Sequence, residues 1–328
     1  MRRPGRALAA SIAFAVLLAV LAGLSLIAGR VWTPPQLLVA PHDPRWLIIT
    51  QLRIPRTLLA VLVGAALGLS GAALQGYTRN PLADPGALGV SSTAALGAVL
   101  TLYFGVAAVS PWALAVFAMV GAGIGVAVLI AVAAPAGEAV SFLLAGVILN
   151  TIAGAGVALA LTLAPNPWAA SEITDWLIGS LADRSMAEVQ VAAPFIVAGG
   201  VLLMAAGPAL DALTLGEIGA RSLGVSLRRV QFMIAVGAGL ACGASVAATG
   251  AIGFVGLVTP HLARKIVGGQ PSRLLLPSAL GGAVLLLAAD ILVRIIPSAN
   301  EVHVGVATTA LGAPFFLALL ISMRRRLA

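Results

Sequence analysis

The chain has 328 residues, of which 60% are hydrophobic and 9% charged, with a mean hydropathy of +1.08. Soluble domains carry about 25% charged residues, so this composition excludes a soluble globular protein and indicates a polytopic membrane protein. The net charge of +8 forms no basic stripe interleaved with aromatics, which argues against nucleic acid, and the single cysteine, Cys242, rules out an intrachain disulfide.

The N-terminal stretch MRRPGRALAASIAFAVLLAVLAGLSLIAG has a basic head. Its apolar run is longer than the roughly 7–15 residues of a secretory signal and lacks a clean A-x-A site, so a retained first span is expected. A crossing helix needs about 20 apolar residues, and Pro, Gly and charge clusters delimit the candidates. Spans are predicted near 7–28, 54–76, 88–106, 111–133, 140–163, 191–207, 230–250, 252–267, 274–296 and 304–323. The eighth, IGFVGLVTPHLARKIV, is short and broken by Pro260, a poor candidate for a straight crossing. The expected fold is therefore all-α, a single transmembrane domain of about ten helices over 1–328.

An internal N-terminus places thirteen of the 19 Lys and Arg residues inside, and Arg30, Arg45, Arg53, Arg56, Arg184 and Arg294 outside, as the positive-inside rule demands. Both termini are then cytoplasmic. Most external acids, Glu172, Asp175, Asp183 and Glu188, fall in one external loop, 164–190. In QLRIPRTLLAVLVGAAL, Arg53 and Arg56 stand three apart at the outer end of the second span, on one helix face, where cations are affordable and carboxylates can reach them.

The stretch GAALGLSGAALQGYTRNP (64–81) echoes GASVAATGAIGFVGLVTP (243–260), with Gly64/Gly243, Gly71/Gly250 and Pro81/Pro260 in register. The two lie on spans of opposite direction, a weak inverted repeat of the kind transporters use. The longest internal loop, 207–231, reads as two short helices. Pro208 starts the first, Thr214 and Glu217 fit a capping box for the second, and Gly224 ends it. Glu217 and Arg221 lie one turn apart, and Gly219 with Ala220 leaves a small-residue surface for another protein.

Lys265 is the sole lysine and no G-x-x-x-x-G-K-[ST] loop exists, so the chain is not expected to bind ATP in that way or to be an enzyme. No metal-spaced Cys/His cluster occurs, and His42, His261 and His303 are far apart. Ion-driven transporters usually carry acids mid-membrane. Here only Asp290 comes close, and Arg294 at i+4 reads as its local ion pair.

The segment LRIPRTLLAVLVGAALGLSGAALQGYTRNPLADPGALGVSSTAALGA resembles the hallmark of FecCD-type permeases, the membrane subunits of ABC importers for iron-siderophores, haem and cobalamin. GARSLGVSLRRV, GFVGLVTPHLAR and GAPFF match further signatures, so the resemblance spans essentially the whole chain. It implies ten helices per subunit, two permease copies, two ATPase subunits that bind ATP and Mg, and a periplasmic binding protein that delivers the chelate across the bacterial inner membrane. By the same resemblance, Arg53, Arg56 and Arg294 dock the binding protein. Glu217, Gly219, Ala220, Arg221, Leu223 and Gly224 meet the ATPase. Asn150, in the fifth span, is a candidate for the path, or else bonds a neighbouring helix. His303 stands where the family commonly has proline, and is read either as an interfacial histidine or as a substrate contact. A ferric siderophore is the expected cargo, with haem and cobalamin as rivals, and an ion-driven transporter or a non-transporting receptor as the competing classes.

Overall fold

The computed structural model describes residues 5–29, 32–36, 43, 45–110, 112–133, 138–297 and 302–327. Arg2, Arg3, Arg30 and His42 lie outside them. The described residues form thirteen α-helices and no strand. They are α1 (Gly5–Ile27), α2 (Ile54–Thr78), α3 (Val90–Tyr103), α4 (Ala113–Ala133), α5 (Ala139–Thr162), α6 (Pro167–Ile178), α7 (Met186–Ala205), α8 (Gly207–Leu213), α9 (Gly216–Ser222), α10 (Leu227–Thr249), α11 (Val255–Val267), α12 (Pro271–Ile295) and α13 (Val304–Leu327).

Every predicted span is occupied by a helix, but among the described residues only seven are long and apolar enough to cross a membrane: α1, α2, α4, α5, α7, α10 and α12. The helices α3 and α11, with 14 and 13 residues, reach about 20 Å at 1.5 Å per residue, against a hydrocarbon core of about 30 Å. Both are continued by irregular backbone. A 3-10 turn at Pro85–Leu88 precedes α3, and Phe254, in the left-handed region at φ 66°, precedes α11. Non-helical backbone at membrane depth is tolerable only where protein encloses it or it lines a cavity, and Gly256 here packs against Pro85 and the Leu67 carbonyl of α2.

The core is organised by α2, α10 and α12. The first echo segment, 64–81, lies on α2 and the turn after it, and the second, 243–260, runs from the end of α10 into α11; in α2 and in α10, 78% of the most apolar stretch is buried. They run in opposite directions: α2 ends beside Pro271 and Leu210, at the end of the molecule where α10 starts after α9. Small residues let backbones touch. A Cβ at Gly64 would collide with the Gly282 carbonyl of α12, and one at Gly68 with the Ser278 carbonyl, so α2 and α12 pack main chain to main chain.

The 164–190 segment, expected as a loop, contains α6. Asn166 caps it by accepting from the Ala169 N–H at 2.9 Å. Ser185 and Glu188 form a reciprocal capping box that starts α7 five residues before the predicted span.

The predicted box at Thr214 and Glu217 does not form. Thr214 keeps helical geometry as the C-cap of α8, and its hydroxyl donates to the Asp211 carbonyl at 2.7 Å, so α9 begins at Gly216 without a side-chain cap. The predicted stop at Gly224 is present. At φ +82°, its N–H donates to Arg221 O and that of Val225 to Ala220 O, the two bonds of a Schellman motif.

Candidate functional site

Three sets of functional side chains are spread along the bundle. At the end of the molecule where α2 begins, Pro55 lacks an N–H, and the turn before it widens into a π-turn, Ile48–Arg53, in which Ile54 N–H donates to Ile49 O. Arg53 and Arg56 share a face, as their spacing predicts, but that face looks inward. Arg53 is 7% exposed and donates to the Leu26 carbonyl and to Thr33 Oγ1, each at 2.7 Å. Arg56 Nε donates to Asp290 Oδ1 at 2.8 Å across 234 residues of sequence. Arg294 ion-pairs with Asp290 at 2.9 Å, the expected i+4 pair, and also donates to Ser25 O (3.0 Å), Ala28 O (3.2 Å) and Ser25 Oγ (2.5 Å). Ser25 in turn bonds Thr57 at 2.7 Å.

The expectation that these arginines stand open to an incoming carboxylate is therefore corrected for Arg53 and Arg294. The physical reason lies in α1. The last turn of a helix leaves carbonyls without intrahelical donors, and its dipole favours cations there. Leu26, Ser25 and Ala28 supply those carbonyls, and two arginines from α12 and the start of α2 satisfy them. Nearby, Asp43 and Arg45 form an exposed pair at 2.7 Å, and the Arg45 hydrogen bonds lower the Asp43 carboxyl to about 2.

In mid-bundle a cavity of about 320 Å³ is lined by Asp84, Ser91, Ser92, Asn150, Ser245 and Phe254, among others. Ser92 Oγ donates to Asn150 Oδ1, so Asn150 lines the cavity and bonds a neighbouring helix. Asp84 escaped the sequence search. Its carboxylate accepts from the Gly86 N–H at 2.8 Å, capping the 3-10 turn. The A-D-P-G string marks a turn, but nothing in it indicates that the turn folds back into the bundle. His303 precedes α13, and its carbonyl accepts from Val306 N–H at 3.1 Å, closing the first turn without proline.

At the other end, α8 and α9 form the 207–231 loop. Ala220, expected on an accessible small-residue surface, is fully buried among the Leu213 and Leu227 side-chain cluster and is corrected to a core position. What α9 exposes is larger and apolar: Ile218 is 83% exposed, flanked by Leu215 and Leu223, with Arg221 also exposed. Glu217 is turned to the N-terminus of α5, where Oε1 accepts from the Ala139 N–H at 3.2 Å. Asp211, on α8, accepts from Ser272 N (2.9 Å), Ser272 Oγ (2.6 Å) and Gln270 Nε2 (2.7 Å) at the start of α12.

Comparison with known proteins agrees with this architecture. The chain is 39% identical over 293 residues to the hemin transport system permease protein HmuU of Yersinia pestis, covering 87% of this chain and 86% of that one. It is 38% identical over 324 residues to the vitamin B12 import system permease protein BtuC of Salmonella paratyphi A, covering 96% and 95%. A solved structure described as an inward-facing conformation of a metal-chelate type ABC transporter superposes with a TM-score of 0.85 at 29% identity, covering 96% of this chain and 99% of that one. The sequence model of the FecCD transport family matches residues 17–322, and with the helical bundle, the interrupted helices and the two-helix loop in place, the chain belongs to the FecCD transport family.

Proposed function

We propose that this chain is the membrane permease subunit of an ATP-driven importer that carries a metal chelate, most readily a ferric siderophore, from a periplasmic binding protein to the cytoplasm across the bacterial inner membrane. The observation that carries the coupling to an ATPase is the apolar surface of α9. Ile218, Leu215 and Leu223 project from a short helix at the end of the bundle, where an unpartnered apolar patch is costly and marks a protein contact. The α8–α9 end is then cytoplasmic and both termini lie on that side. ATP and Mg bind the ATPase, two permease copies enclose the path, and this chain is not itself an enzyme.

The opposite end meets the binding protein. Of the three arginines, Arg56 keeps the most exposure, 12% of its side chain, and is the candidate contact for an acidic partner. The cavity at Asn150 and Asp84, where serines stand among apolar side chains such as Leu67, Ile252 and Phe254, is the candidate path for the cargo.

Co-expression with the ATPase and reconstitution in liposomes tests the reading. ATP-dependent uptake of ferric siderophore in preference to haemin and cobalamin is expected, and requires the binding protein. Uptake that persists without any ATPase would overturn it. Preference for haemin or cobalamin would keep the importer and replace the cargo.

A further inference from the structure

The α8–α9 loop grips two membrane helices by the same device at very different strengths. Helix N-termini carry unsatisfied N–H groups and a positive dipole end, so a carboxylate there is stabilising. Asp211 serves α12 with three hydrogen bonds, and its helix is further seated by Leu210 and Leu213, both buried. Glu217 serves α5 with one bond at 3.2 Å, and its helix buries only Ala220. Between the two stands Gly216 at φ +87°, a backbone state that glycine adopts without strain.

The two target helices differ in the same sense. In α12, 67% of the most apolar stretch is buried, and it lies main chain to main chain on α2. In α5 the share is 28%, and α5 carries Asn150 to the cavity. Extending the importer reading above, we propose that Glu217 is a positioning residue that links α9 to α5. The end of the loop held by Asp211 is fixed to the core, Gly216 is the hinge, and displacement of α9 by the ATPase shifts α5 and with it the wall of the cavity.

The test places a reporter on α5. Gly154, one turn beyond Asn150 on the same face, has open space where a Cβ would go, so Gly154→Cys is accommodated. The native Cys242 is 1% exposed and does not compete for a water-soluble maleimide. Labelling rates are compared in the ATPase complex without nucleotide and after vanadate trapping with ATP. Trapped nucleotide is quantified, so that each rate refers to complexes that have bound ATP. With Glu217 intact the two states are expected to label at different rates. Glu217→Ala is expected to abolish that difference, and Glu217→Gln, which keeps a side-chain acceptor for Ala139 N–H, to restore part of it. An undiminished difference in Glu217→Ala overturns the proposal, as do equal rates in the parent, because α5 then does not follow the ATPase. Failure of the importer reading itself is seen separately, as absence of an ATPase complex before any variant is made.

Discussion

The Asp290 cluster offers the sharpest test of how this bundle is held together. The Asp290 side chain is 0% exposed and is shared by Arg56 of α2 and Arg294 of its own helix, at 2.8 and 2.9 Å. Asp290→Ala removes the carboxylate that both cations share. Removing one partner of a buried pair costs about 3–5 kcal/mol. Arg294 retains the Ser25 and Ala28 carbonyls and the Ser25 hydroxyl, so the lower end of that range, about 3 kcal/mol, is expected. At about 2–4 °C per kcal/mol for a large domain, the apparent melting temperature should fall by about 6–12 °C. The assay is thermal unfolding of the purified chain in detergent, followed by size-exclusion recovery, at low and high salt. Burial makes the loss insensitive to salt. A double variant, Asp290→Ala with Arg56→Ala, should cost less than the two single changes added together, because each single change already removes the ion pair the two residues share. A melting temperature within about a degree of the parent for Asp290→Ala would refute the reasoning and reduce the cluster to a crossing point of side chains with no energetic role.

Other outcomes follow from single contacts. Gly68→Leu should abolish the α2–α12 packing and strongly lower the yield of folded protein, because any Cβ meets the Ser278 carbonyl; wild-type yield and melting would show that the helices can separate at no cost. Ile218→Asp should prevent co-purification of the ATPase without lowering the melting temperature of the permease, since Ile218 is 83% exposed. Ala220→Trp, by contrast, should destabilise the permease itself, and equal stability would return Ala220 to the accessible surface. The Asp43 carboxyl, lowered from 3.8 to about 2 by Arg45, contributes its pairing fully above pH 3.8 and loses it as pH falls through about 2. Carboxylate NMR should place its midpoint near 2 and return it toward 3.8 in Arg45→Ala, and an unchanged midpoint in that variant would dismiss the pair.

Much of the architecture was legible because the membrane enforces a simple rule: every crossing helix must be apolar and long. Every predicted span holds a helix, and Gly224 ends α9 where a glycine in the left-handed region was expected. The i+4 pairing of Asp290 with Arg294 was equally local and equally visible. What one-dimensional reading could not supply was the direction in which polar groups turn. The spacing of Arg53 and Arg56 fixes a shared face, but only the arrival of α1 and α12 decides that the face is buried, since the Leu26 carbonyl and the Asp290 carboxylate are 27 and 234 residues away. Glu217 looked like a capping partner for Thr214, and a helix from 78 residues earlier offered its N-terminus instead. Asp84 looked like a turn residue and was, but the turn folds into a cavity wall. Local sequence thus determined that the ten apolar segments are helical and that α9 stops at Gly224, because those choices depend on neighbours within a turn or two, while α6 and the start of α7 were missed. Tertiary structure alone decided the partner of each buried charge, because a charge removed from water takes whichever donor or acceptor the packing brings within about 3 Å.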